Sequence, residues 1–246
     1  WNTATVTNMY QMFYQSTNFN QNIGSWNTGA VTNMGYMFNQ ATNFNQNIGS
    51  WDVADVTNME FMFSSASAFN GAIGGWNVSS VTNMQYMLYA TAFNQDISSW
   101  DVNQVTNFTS FLQNNTALST ANYDALLIAW EAQNPLDGKS FHAGDASYTP
   151  TQVDNGTTTS TTSNKLVQSG QNFDSTVSVG DIVVNTTDST MTRVTAVDSA
   201  TQLALNNDIM ASGENFQIHS SNAAKAKERL VNDHTWTIID SLGTIT

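Results

Sequence analysis

The chain has 246 residues and sets 6 Lys and Arg against 19 Asp and Glu, a net charge of −13. Residues 1–138 hold eight acids and no Lys or Arg, so this part cannot neutralise phosphates or anionic lipid, which excludes nucleic acid and direct membrane insertion as its business. There is no Cys, hence no disulfide or thiolate chemistry, and no apolar run approaches the roughly 20 residues that cross a bilayer.

Internal repetition is the strongest signal along the chain. Trp1, Trp26, Trp51, Trp76 and Trp100 open five segments: WNTATVTNMYQMF, WNTGAVTNMGYMF, WDVADVTNMEFMF, WNVSSVTNMQYML and WDVNQVTNFTSFL. Within each, two periods are visible. Around the Trp, apolar residues such as Ile97, Trp100 and Val102 favour an extended strand. Thr57 is then a good N-cap, and Met59, Met62 and Phe63 follow at i, i+3 and i+4, one apolar face of a helix. The expected fold class is an α/β repeat, a leucine-rich-repeat-like solenoid with a short strand and a short helix per coil. The Met and Phe columns are its core, the Asn column Asn20, Asn45, Asn70, Asn94 bonds neighbouring coils, and the Thr column caps the helices. The chain has no initiator Met or visible signal peptide. It reads as a portion of something longer, with its first repeat against earlier repeats, another subunit or a preceding domain.

Two columns are left over by the core. The residue two after each inward Met lies about 200° round a helix at about 100° per residue, so Gln11, Tyr36, Phe61 and Tyr86 are expected to face outward as a contact surface. The residue after each Trp is Asn2, Asn27, Asp52, Asn77 or Asp101. On a strand it points away from the Trp, and no two acids fall side by side. That ladder reads either as a binding face for sugar or polypeptide or as a solvated sheet face.

After the repeats (residues 1–118) the pattern changes. Residues 119–150 read as the first part of a cap. Its helix starts at Ser119 or Thr120, shows Tyr123, Leu126, Leu127 and Trp130 on one face, and is stopped by Pro135 and Gly138. Residues 151–220 read as an insert: a Thr/Ser-rich linker, TQVDNGTTTSTTSN, then short alternating strands of a small β-barrel or sandwich. Residues 221–246 complete the cap with a helix over 222–232 and a strand over Thr235–Ile239.

His142, His219 and His234 show no metal-ligand spacing, and no P-loop, G-x-S-x-G or Rossmann fingerprint occurs. Asp52, Asp55 and Glu60 form the best acid group but lack the converging oxygens of a calcium loop. No metal, cofactor or catalytic residue is expected, so the chain is not expected to be an enzyme. A spatial carboxylate pair is the one arrangement that spacing cannot test.

The motif W-[ND]-x3-V-T-N-M-x2-M-F-x5-F-N-x2-I resembles the BspA-like bacterial surface-protein repeat, a leucine-rich-repeat-related family found in lipoproteins and adhesins. LSTANYDALLIAW, FHAGDASYT and AAKAKERLVNDHTWTIID resemble that family's C-terminal cap. The resemblance implies a right-handed solenoid, extracellular placement on a bacterial cell surface, and no catalytic residues. It also implies a non-enzymatic adhesion module contacting glycan or protein on a cell or matrix. The insert is similar to small β modules of bacteriophage structural proteins. That implies an alternative: a tail-fibre, tailspike or decoration protein on a virion surface, packed against neighbouring subunits.

Overall fold

In the computed structural model, which describes residues 1–149, 151–241 and 243–245, residues 1–118 contain no α-helix and no strand. The expected α/β solenoid of strand-plus-helix coils is therefore corrected. Regular structure lies after the repeats and is mostly β-sheet.

The reason lies in where the amides go. Met12, Tyr14 and Ser16 donate to the carbonyls of Met9, Gln11 and Phe13, three residues back, which makes a run of tight turns. The alternate amides leave the repeat: Met9, Gln11, Phe13 and Gln15 donate to the carbonyls of Asn33, Gly35, Met37 and Asn39 at 2.8–3.0 Å. The next repeat does the same one step on, with Met34, Tyr36, Phe38 and Gln40 donating to Asn58, Glu60, Met62 and Ser64. Two residues per repeat take the left-handed backbone that interrupts a helix: Gln11 and Gln15, Tyr36 and Gln40, Phe61 and Ser65, Tyr86 and Ala90, Ser110 and Asn114. The i, i+3, i+4 spacing reports which side chains point inward; a run of turns satisfies it as well as a helix does.

The Thr column does not cap helices. Thr32 donates both its amide, at 2.9 Å, and its hydroxyl, at 3.3 Å, to the carbonyl of Thr7, and Thr57, Thr82 and Thr106 each do so to the preceding Thr. Asn8, Asn33, Asn58, Asn83 and Asn107 join in successive parallel bridges. The side-chain oxygens of Asn20, Asn45, Asn70 and Asn94 accept the amides of Asn45, Asn70, Asn94 and Ser119. Inside, Val56, Met59, Met62, Phe63, Phe69 and Ile73 are completely buried, as are their counterparts in the preceding repeat. The indole N–H groups of Trp51, Trp76 and Trp100 donate to the carbonyls of Ile23, Ile48 and Ile73 at 3.1–3.2 Å, so no donor is orphaned there.

Helix α1 (Thr120–Ala132) starts at Ser119, whose hydroxyl accepts the Asn122 amide, and buries Tyr123, Leu126, Leu127 and Trp130. Trp130 stacks on Phe108 of the last repeat at 5.4 Å. Strand β1 (Ser140–His142) then receives the Leu112 amide on its His142 carbonyl, so it takes the place of a further repeat.

Six strands follow: β2 (Gln152–Thr157), β3 (Lys165–Val167), then after the short helix α2 (Phe173–Thr176), β4 (Ile182–Asn185), β5 (Thr190–Ser199), β6 (Gln202–Leu205) and β7 (Asn215–His219). They form one antiparallel sheet in the order β2-β7-β4-β5-β6-β3. Ser160, beyond β2, bridges back to Val167 of β3, so the sheet curls into a half-barrel. A sandwich would need a second facing sheet; a single curled one is present. Residues 152–157, read from composition as linker, are its edge strand. Asp154-Asn155-Gly156 looks like a turn, but pairing to β7 overrides that preference, with a register shift between Gln152 and Asp154.

Alternation places the two faces of β4 in different cores: Ile182 and Val184 join the repeat and cap core, while Val183 joins Leu166, Phe173, Val194, Leu203, Phe216 and Ile218. Helix α3 (Asn222–Asn232), strand β8 (Thr237–Asp240) and strand β9 (Gly243–Ile245) complete the cap, with β8 parallel to β1 and antiparallel to β9. Pro150, Leu242 and Thr246, within the expected cap segments, lie outside the described residues.

A buried polar chain ties cap to sheet. Lys227 of α3 donates to Asp240 Oδ2 at 2.6 Å, and the Tyr123 hydroxyl donates to the same oxygen at 2.8 Å. The Lys227 ammonium stands 5.5 Å from the Tyr148 ring centre, and the Tyr148 hydroxyl is 2.9 Å from Nδ1 of His219. His219 Nε2 is 3.2 Å from Gln217 Oε1. A neutral imidazole protonated on Nε2 satisfies both contacts. Burial, and then the charge of Lys227, hold the His219 pKa below its ordinary value. The unfolded chain therefore binds this proton more readily. The contribution to stability is full above about pH 6.5 and is lost as pH falls below it. Burial lowers His142 in the same sense. Urea midpoints are expected to fall between about pH 7.5 and about pH 5, and His219→Gln to flatten a large part of that fall. An unchanged slope would remove His219 from the account.

Candidate functional site

Between the inward Met and Phe of each repeat, the residue at left-handed φ is turned outward. In three successive repeats it is aromatic: Tyr36, Phe61 and Tyr86, with φ of 57, 52 and 52°. All three are half-buried. Their rings stack nearly parallel, Tyr36 on Phe61 at 4.6 Å and Phe61 on Tyr86 at 4.7 Å. A bulky side chain at positive φ is disfavoured. Each stacked pair returns about 0.5–1.5 kcal/mol.

Gln11, the expected first member, adds no ring. Tyr10, 42 % exposed, fills that place and meets Tyr36 edge-on at 5.5 Å. Gly35 makes the room, since a Cβ there would stand 3.1 Å from the Tyr10 ring. At the other end Tyr89 tilts against Tyr86 at 5.4 Å, its hydroxyl accepting from Asn114 Nδ2 at 2.7 Å. The row thus has five rings. Position-by-position reading finds three and misses Tyr10 and Tyr89, because a ring can cover its neighbour's position. The missing side chain at Gly35 is the available signal.

Glu60 lies beside the row, adjacent to Phe61. Its Oε1 accepts from Asn58 at 3.3 Å, and its Oε2 accepts from Asn83 and Gln85, each at 3.0 Å. These partners are amides, which leave the negative charge in place. Burial, followed by the charge of Glu60, raises the Tyr36 phenol above its ordinary pKa, so Tyr36 is a protonated donor at neutral pH.

The other expected column is exposed, but no strand carries it. Asn2, Asn27, Asp52, Asn77 and Asp101 each accept the amide two residues on, from Ala4, Gly29, Ala54, Ser79 and Asn103, at 3.1–3.2 Å. This is the Asx turn, a structural reason for Asn or Asp at that place. The bonds and ring contacts that build the aromatic row involve none of the five.

The histidines stand apart. His219 is buried, and His234 Nδ1 lies 3.1 Å from the exposed Asp137. Among the described residues, no group of three or more His, Cys, Asp or Glu is arranged to hold a metal ion, and no helix is long and apolar enough to cross a membrane.

A family profile described as "Mycoplasma protein of unknown function, DUF285" matches residues 1–90 and, in a second overlapping match, 56–155. No curated protein and no solved structure matches the chain. The two family matches together span residues 1–155 of 246, more than half of the sequence. The chain belongs to the DUF285 family of Mycoplasma proteins.

Proposed function

We propose that this chain is a non-enzymatic binding module displayed outside the cell, and that the row Tyr10, Tyr36, Phe61, Tyr86 and Tyr89 is its contact surface. The observation that carries this is the placement of aromatic side chains, half-exposed, at a backbone position that disfavours them, in successive repeats. Membership of a family of repeat proteins and the BspA-like motif support display on a bacterial surface. The binding-only reading is supported by the polar columns, whose carboxylates and amides already serve their own turns.

The test replaces Tyr36, Phe61 and Tyr86 together by Asn, which tolerates left-handed backbone. Binding to cultured host cells and to immobilised matrix is then compared, with circular dichroism as the folding control. A loss of about tenfold or more is expected, the scale of aromatic anchors at interfaces. In a parallel variant Asn27, Asp52, Asn77 and Asp101 become Ser, which retains a turn-forming hydroxyl. If the folded aromatic variant binds like the parent while the Ser variant does not, the contact surface is the other column.

A further inference from the structure

The row's partner, we infer, is a basic polypeptide segment and not a sugar. This rests on the reading of the row as a contact surface and adds the chemistry of what it contacts.

The first argument is geometric. A sugar is held by aromatic residues when its C–H groups lie on a ring face. Here the faces of the three middle rings are taken. Phe61 has Tyr36 on one side and Tyr86 on the other; Tyr10 meets Tyr36 and Tyr89 leans on Tyr86 at the two ends. What the three middle rings leave free is their edges and the phenol hydroxyls of Tyr36 and Tyr86. Ring edges carry the positive part of the quadrupole. Edges and O–H donors together suit the carbonyl oxygens and aliphatic side chains of an extended polypeptide.

The second argument is charge. Cations prefer ring faces, so the partner's cations must find carboxylates instead. Residues 1–138 supply eight and no Lys or Arg. Glu60 is the one beside the row, fixed by three amide donors that hold it in place without neutralising it. An Arg fork pairs well with such a pre-set carboxylate.

The probes are a labelled nonapeptide of alternating Arg and Val, its Glu-for-Arg counterpart, and chitohexaose. Binding to the full chain is read by fluorescence anisotropy, or by competition for the sugar, at about 0.15 M salt, where loose surface attraction is screened. The Arg peptide should bind, and the Glu peptide and the sugar should not. The triple Asn variant should weaken it about tenfold or more. Glu60→Gln and Asp101→Asn each remove one charge. The first should cost several-fold and the second less than about twofold. Equal effects of the two would reduce the binding to net charge and overturn the inference, as would sugar binding lost in the triple variant. If the triple variant loses cell binding but the Arg peptide neither binds nor competes, the partner assignment fails and the contact surface stands. If cell binding ignores the triple variant, the contact surface itself fails.

Discussion

Met62→Asp is expected to unfold the stacked repeats. Met62 is completely buried, between the equally buried Met37 and Met87 of the flanking repeats. No Lys or Arg lies in the first 138 residues to meet a new carboxylate. The group must either stay charged without a partner or take up a proton and remain a poorly bonded polar atom. The backbone has little slack to move it outward: the Met62 amide donates to Met59 and its carbonyl accepts from Phe38 at 2.8 Å. Deleting a buried Met side chain alone costs about 2–5 kcal/mol, and the charge adds to that, against a total stability of about 5–15 kcal/mol for a typical domain. Urea titration by far-UV circular dichroism should find the variant largely unfolded in buffer. Met62→Leu, which keeps volume, should lose less than about 1.5 kcal/mol. A folded Asp variant with the parent's melting temperature would overturn the inward placement of this column.

Lys227→Met is the second large effect, and it acts in the cap. The Lys227 and Asp240 side chains are both fully buried, so their ion pair is not screened by solvent. Burial lowers the Lys227 pKa and Asp240 raises it again, which makes the ammonium dependent on its partner. Removing the cation leaves the Asp240 carboxylate inside with a donor lost. Breaking one side of such a pair costs about 3–5 kcal/mol. Adding Asp240→Asn should recover most of the loss, because the amide oxygen still accepts from the Tyr123 hydroxyl while the buried negative charge is gone. The check is a double-mutant cycle from urea midpoints. If the double variant is no more stable than Lys227→Met, the cost came from lost packing of the Lys stem and not from the charge. By contrast, the Arg229 pair with Glu131, at 2.6 and 2.8 Å but partly exposed, should matter far less.

The cap elements were legible because their signals are local. Ser119 caps α1 through its own hydroxyl, and the buried face Tyr123, Leu126, Leu127, Trp130 follows from spacing along a single helix. The inward residues of the repeats were legible for the same reason, since Met59, Met62 and Phe63 mark a side whatever the backbone does. The helix assigned to them was not correct, and the strand at Gln152–Thr157 was missed. In both places the deciding hydrogen bonds reach a distant partner: 24 residues on for Met9 to Asn33, and across the sheet for β2 to β7.

The candidate site divides in the same way. Tyr36, Phe61 and Tyr86 could be picked out by repeat position alone. That their rings lie face to face, that Tyr10 leans over Gly35 to join them, and that Glu60 is held beside them by amides from two repeats could not. The sequence by itself determined the repeat, its inward columns and the absence of any cation in the first 138 residues. The tertiary structure alone decided that the coils are stacked turns and that the rings of neighbouring repeats cover one another's faces. The physical reason is that composition and periodicity describe one repeat at a time, whereas backbone amides and ring faces are satisfied between repeats.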